Sequence, residues 1–248
     1  MFHILEKLCY TGKESEGKQK VSEVNMGDTA ATDSYRVLLS GGEGEIVEKK
    51  SRFIATVRPV KTEEEANQFV EEMRKKYWDA RHNCWAFILG ERQEFKRCSD
   101  DGEPSQTAGK PMMDVLTGAG LTDVAVVVTR YFGGTLLGTG GLVRAYSGAV
   151  QAGLGESTVI EKHHGILLAL TADYTAIGKL QYIAAENQLP VLDTEYTDKV
   201  IMHLLVPNDQ VGRIQKVITE ATSGRIKMEK EKELYFADVE GEIKVFDH

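Results

Sequence analysis

The chain has 248 residues, enough for one large or two ordinary domains, and 42% of them are hydrophobic, so a normal core is expected. The formal net charge of −8 argues against a protein whose whole surface binds nucleic acid. Three widely spaced cysteines without a Cys-x-x-Cys motif argue against a disulfide scaffold or structural zinc, and they favour the cytoplasm. No membrane span is expected, because no apolar run approaches about 18 residues. No signal peptide is expected either, because the start of the chain lacks a cleavable apolar core with a small-residue exit.

The charge is unevenly distributed along the chain. Residues 32–155 carry a net charge of −1, whereas residues 156–248 carry −6. Residues 1–33 are mostly polar and aperiodic after Tyr10, which predicts a poorly ordered N-terminal extension. The acidic excess therefore lies in the C-terminal third.

The first half of the chain contains strand-like runs at residues 35–40, 45–47 and 52–57. A capping box, Thr62 with Glu65, then predicts a helix. A hairpin is predicted for residues 84–97. Pro111 is placed in the first turn of a short helix that runs through Leu116, with Gly118 ending it. Apolar residues recur at helical spacing in the first helix: Ala66, Phe69, Val70, Met73 and Tyr77.

The central stretch begins with an unbroken apolar run at residues 124–128, typical of a strand covered on both faces. A glycine-rich segment follows, and a helix is predicted to begin near Gly141. Free backbone N–H groups and the positive end of the helix dipole make such a junction attractive to anions. The segment contains five glycines: Gly133, Gly134, Gly138, Gly140 and Gly141.

Two arginines flank this segment. Arg130 ends the strand, and Arg144 leaves the apolar face of the helix. The pattern predicts a site for phosphate or an acidic partner. The alternative is that the glycines only permit left-handed turns and tight packing. Neither the P-loop nor the GxGxxG nucleotide motif is present.

The C-terminal part follows a β-α-β-β-α-β order from about residue 165, which predicts a ferredoxin-like domain. Asn208 or Asp209 is the expected cap of its second helix. The domain boundary is expected near residues 156–164. The sequence therefore predicts an α+β protein with domains at residues 34–158 and 163–248.

Four segments resemble, in order, those of the Impact/YigZ family. They are SRFIATV, DARHNCWAF, DDGEPSQTAGKP and VTRYFGGTLLGTGGLVRAY, and the match covers about residues 45–155. Residues 165–225 resemble the small C-terminal domain of the bacterial members. Gln106 departs from the family pattern, which usually has a glycine there to form a tight turn. The long N-terminal extension is a second departure.

The resemblance implies an N-terminal domain like the second domain of a small-subunit ribosomal protein and domain IV of elongation factor G. It implies a C-terminal domain like the ferredoxin-like domains of the same factor. The eukaryotic members are translation regulators that act through a partner in the amino-acid-starvation kinase pathway. For bacterial members, a nucleic-acid or ribosome role rests on fold analogy, which does not fix function.

Several polar residues each have two possible roles. The carboxylates of Asp100, Asp101 and Glu103 could hold Mg²⁺, but such clusters more often cap helices or form turns. His82 is either a proton carrier or a hydrogen-bonded structural histidine. Lys110 either meets a phosphate or is solvated. No metal or cofactor is expected.

Three further side chains have alternative roles. Cys98 could be a nucleophile, but no neighbouring residue in the sequence supplies a base. Tyr131 and Phe132 could stack on a nucleobase. Phe132 is expected in the core, and the position of Tyr131 is left open.

The preferred hypothesis is a non-catalytic, translation-linked protein that binds RNA, the ribosome or a partner protein. One alternative is an enzyme for a phosphorylated small molecule, which requires His82, Asp101 and Glu103 to converge on the glycines. Another is a protein-interaction module that docks through its acidic C-terminal domain. The oligomeric state is open. The candidate binding residues are His82, Asp101, Glu103, Lys110, Arg130, Tyr131, Gly133, Gly134, Gly138, Gly140, Gly141 and Arg144.

Overall fold

The computed structural model describes residues 34–246, and the predicted N-terminal extension lies outside this range. The described residues form two antiparallel sheets with helices packed on them, so the predicted mixture of helices and strands is confirmed. Within these residues, no helix is both long and apolar enough to cross a bilayer.

The first sheet has the order β2-β3-β6-β4-β5 and places the apolar run of the sequence at its centre. Residues 124–130 of this central strand are buried on both faces of the sheet, as an uninterrupted valine-rich run predicts. The strands are β2 (Glu43–Glu48), β3 (Ser51–Pro59), β4 (His82–Leu89), β5 (Phe95–Ser99) and β6 (Val124–Tyr131).

Three helices cover this sheet. Helix α1 (Glu63–Lys76) packs on one face through Phe69 and Met73. Helices α2 (Gly109–Gly118) and α3 (Thr139–Gly155) pack on the other. Thr62 caps α1 as predicted, accepting from the Glu65 N–H at 3.2 Å. The Glu65 carboxylate accepts from the Lys61 N–H rather than from Thr62, so the capping box is only half formed.

The second sheet has the order β11-β10-β7-β9-β8. Helices α4 (Ile177–Glu186) and α5 (Val211–Thr222) pack against it. The predicted β-α-β-β-α-β order is observed, and the C-terminal stretch forms two strands. The strands are β7 (Thr158–Ala172), β8 (Val191–Tyr196), β9 (Val200–Pro207), β10 (Lys227–Val239) and β11 (Glu242–Phe246).

The predicted cap of α5 is wrong. A single 3₁₀ turn, Asn208–Gln210, precedes the helix, and Gln210 occupies the N-cap without a side-chain hydrogen bond. The 3₁₀ turn moves the start of the α-helix beyond both Asn208 and Asp209.

Strand β1 (Ser34–Ser40) pairs with β7 in the second sheet, although the sequence analysis grouped it with the first domain. Arg36 within β1 also contacts the first domain: Nη1 donates to the Ala119 carbonyl at 2.7 Å, and its own carbonyl accepts from the Thr122 N–H. Strand β1 therefore links the two sheets. Local sequence pattern does not reveal such a pairing, because the partner strand lies more than 100 residues away.

Candidate binding site at the glycine loop

Residues 132–138, called the glycine loop, connect β6 to α3. Gly133 is required by a close approach, since a Cβ there would lie 2.0 Å from the Lys50 carbonyl carbon. Its N–H donates to Ser51 Oγ at 3.1 Å and is therefore not available to a ligand. Gly134 and Gly138 have φ values of 84° and 73°, and a Cβ on either would meet no atom within 4 Å. The loop is thus anchored at its start and open beyond it.

The first turn of α3 keeps the donor character that the sequence predicts. Gly138 occupies the N-cap and has no side chain to cap the helix. The N–H groups of a first helical turn have no acceptor within the helix, and here Thr139 and Gly140 are exposed. The exposed Arg144 lies near this turn, with Nη1 3.7 Å from where a Cβ on Gly140 would stand. These groups form a surface attractive to anions.

Arg130 does not face this surface, which corrects the sequence analysis. Side chains alternate along a strand, so Arg130 lies on the same face of β6 as Val126 and Val128, against α2 and α3. Its Nη1 donates to Glu103 Oε1 at 2.5 Å, and only 8% and 3% of the two side chains are exposed. The predicted pair of open guanidinium groups is therefore reduced to Arg144 alone.

Glu103 serves the same buried cluster. Its Oε1 also accepts from the Tyr146 hydroxyl of α3 at 2.8 Å. Tyr146 in turn accepts from Cys84 Sγ at 3.3 Å. Burial raises the pKa of Cys84 and the pKa of Tyr146, so both groups remain protonated. The cluster braces α3 against the sheet.

Asp100 caps the N-terminus of α2, whereas the sequence also suggests a role in metal binding. Its carboxylate accepts from the N–H groups of Gln106, Ala108 and Gly109 at 2.8, 3.0 and 2.9 Å. Burial raises the pKa of Asp100, but these donors outweigh burial and leave its pKa below the ordinary value. Across residues 34–246, no cluster of three or more His, Cys, Asp or Glu side chains is arranged to hold a metal ion.

Asp101 is occupied by structural contacts as well. One carboxylate oxygen accepts from the Asn83 N–H at 2.7 Å, and the other from Arg74 at 3.0 Å. His82 Nδ1 lies 2.9 Å from the Asp101 carbonyl oxygen. His82 and Asp101 are thus brought together as the enzyme hypothesis requires, but both oxygens of this carboxylate are already bonded.

Lys110 and Cys98 take no part in the glycine-loop surface. Lys110 forms an ion pair with Asp114, one turn along α2. Burial and then the charge of Asp100 raise the pKa of the Cys98 thiol, so its reactive thiolate form is disfavoured.

A cavity of about 510 Å³ lies beside the glycine loop and is called the Phe132 cavity. Phe132 is 56% exposed, so the expectation that it belongs to the core is wrong. The Tyr131 hydroxyl donates to Asp79 Oδ1 at 2.7 Å, which turns the ring towards the end of α1. The cavity is lined by Asp79, Arg81, His82, Arg130, Tyr131, Phe132 and Leu136.

Sequence reasoning missed Arg81, Asp79 and Leu136 as cavity residues. Arg81 and Asp79 precede β4, whose first residue, His82, is opposite Arg130 in the sheet register. The end of β6 and the start of β4 are therefore neighbours. A predicted antiparallel pairing of these two strands would have identified Arg81 and Asp79, but no local pattern marks Leu136.

Comparison with known proteins places this arrangement in a family. The Impact N-terminal domain model matches residues 49–154, and the domain of unknown function DUF1949 matches residues 170–225. The IMPACT family member YvyE of Bacillus subtilis is 40% identical over 83% of this chain and 94% of its own length. The chain belongs to the IMPACT family.

Other IMPACT relatives are similar over shorter lengths. YigZ of Escherichia coli is 34% identical over 73% of this chain and 89% of its own. Protein IMPACT-A of Xenopus tropicalis is 36% identical over 46% of this chain and 36% of its own. A crystal structure of a hypothetical protein has a TM-score of 0.52 at 31% identity, covering 82% of this chain and 99% of that one. The resemblance to the Impact/YigZ family is therefore confirmed.

Proposed function

We propose that this IMPACT-family chain is a non-catalytic, translation-linked protein that binds single-stranded RNA with the glycine-loop face of its first domain. The observation that carries this proposal is the glycine loop, which has the exposed Phe132 ring at its start and the exposed, uncapped first turn of α3 at its end. Single-stranded RNA is bound by combining backbone contacts with aromatic stacking, and this face offers groups for both.

The charge distribution supports a local binding face. The net charge of −8 opposes general attraction to RNA, but residues 32–155 are almost neutral. Arg81 and Arg144 are both exposed near the loop. Phosphate contacts therefore need only this face of the protein.

The link to translation rests on the family and on fold analogy. The family resemblance given above implies that the eukaryotic members of the family are translation regulators. The proposed likeness of the two domains to a ribosomal protein and to elongation factor G points to the same process. A cytoplasmic location is part of this proposal.

The test is binding of a labelled single-stranded RNA oligomer by the wild type and by Arg81→Ala with Arg144→Ala. Arg130 is left intact because its loss would disturb the buried ion pair. Losing two charged contacts should weaken affinity about tenfold or more. The control is Arg92→Ala with Lys199→Ala, two exposed cations away from the loop, which should bind as the wild type does. Equal affinity of the two double variants would refute the proposal.

A further inference from the structure

The Phe132 cavity contains an aromatic side chain that the protein leaves more than half exposed. Phe132 is 56% exposed and Leu136 is 83% exposed on the same loop. The volume, about 510 Å³, falls within the range of about 300–1,000 Å³ usual for small-molecule sites. Any of the nucleobases can stack on Phe132, because every nucleobase has a π-face.

A buried donor in the cavity lining lacks an acceptor. Arg130 lines the cavity, and its guanidinium carbon lies 5.6 Å from the centroid of the Phe132 ring. The residue is 8% exposed, yet its Nε has no hydrogen-bond partner within the described part of the chain. Buried polar atoms are nearly always paired with protein or ordered water, so an unpaired donor beside a cavity is a position that a polar ligand atom or a water can fill.

The surroundings of the ring favour a nucleotide over an apolar peptide. Arg81 is exposed on the cavity wall, and the uncapped first turn of α3 follows the loop. Both attract the phosphate of a nucleotide. Asp79 supplies a carboxylate that can accept from the amino group of a base.

We infer that the Phe132 cavity accepts one unstacked nucleobase of the bound RNA, which stacks on Phe132 while its phosphates lie beside Arg81 and the first turn of α3. This inference rests on the proposed function and adds the position at which a base is held. It assigns Phe132 to direct ligand contact and Arg130 to the cavity wall.

The experiment compares two probes of equal length, an oligoadenylate and an abasic ribose-phosphate oligomer. The wild type should bind oligoadenylate about 5- to 100-fold more tightly, since stacking a base on an aromatic side chain gives gains of this order. Phe132→Leu keeps an apolar side chain without a π-face. It should abolish the preference and leave affinity for the abasic probe unchanged.

Tyr182→Leu is the matched control, because Tyr182 is a 64% exposed aromatic residue on α4 in the second domain. It should keep the full preference for oligoadenylate. Equal binding of both probes by the wild type would overturn the base site while leaving RNA binding intact. An unchanged preference in Phe132→Leu would also overturn it. Binding of neither probe would refute the proposed function itself, and capture of an apolar peptide at Phe132 in its place would assign the cavity to protein.

Discussion

Arg130 Nη1 donates to Glu103 Oε1 at 2.5 Å, and the pair lies buried under α3 at the end of the central strand. The hydroxyl of Tyr146 donates to the same carboxylate oxygen. The contact ties the DDGEP segment, β6 and α3 together. It holds the start of the glycine loop in place while taking Arg130 out of direct phosphate binding.

The first prediction concerns this pair. Arg130→Ala should lower the free energy of unfolding by about 3–5 kcal/mol, because a buried carboxylate loses its partner. The double variant Arg130→Met with Glu103→Leu should be less destabilised than the two single changes added together. Urea unfolding of the wild type, Arg130→Met, Glu103→Leu and the double variant completes the cycle, and Arg92→Ala serves as the exposed control. A double variant as unstable as the sum of the singles would show that the two side chains do not interact.

The second prediction concerns Gln106 in the turn before α2. Its φ is 64°, in the left-handed region, and its N–H donates to Asp100. Gln106→Gly should stabilise the fold by about 0.5–1 kcal/mol, because removing Cβ relieves the left-handed strain by more than the added chain entropy costs. Gln106→Ala keeps Cβ and should be nearly neutral. Equal midpoints for the glycine and alanine variants in urea would contradict this explanation.

The third prediction compares adjacent glycines. Gly134→Ala should cost about 1–2 kcal/mol, because φ is 84° but the space is open. Gly133→Ala should cost more, since its Cβ would lie 2.0 Å from the Lys50 carbonyl carbon and backbone must move. Thermal unfolding of the two variants gives the order directly. A larger loss at Gly134 than at Gly133 would be inconsistent with the anchored start of the loop.

The fourth prediction concerns alkaline stability at β1. Burial, then the charges of Glu91 and Asp123, raise the pKa of Tyr35 to about 12. The folded state therefore holds this proton more tightly than the unfolded state, where the pKa is about 10. The contribution of the protonated Tyr35 to folding stability is fully present below pH about 10 and is lost as the pH rises towards 12. Tyr35→Phe should lose less stability across this window, and parallel pH profiles of the two proteins would disprove the assignment.

Much of the fold could be predicted from sequence because local rules determine it. Alternating or unbroken apolar runs located the strands, Thr62 marked the start of α1, and Pro111 marked the first turn of α2. The pairing of β1 with β7 could not be predicted, since it depends on contacts between residues more than 100 positions apart.

The site was predicted less completely for a related reason. The uncapped start of α3 follows from Gly138 and the glycine-rich sequence. To predict the burial of Arg130, one must know which face of β6 it lies on. The alternation of side chains from Val126 and Val128 identifies that face. Its counter-ion, Glu103, comes from a turn whose path no periodicity describes. The exposure of Phe132 likewise depends on how the loop leaves the sheet.

The most direct test of RNA binding at the glycine loop is the dependence of affinity on salt. Single-stranded RNA binding should weaken linearly in log–log form between about 50 and 200 mM salt, with each phosphate contact adding about 0.7 to the slope. Arg81→Ala with Arg144→Ala should reduce that slope by about 1.4. A slope unchanged by the double variant, or affinity independent of salt in the wild type, would contradict the account.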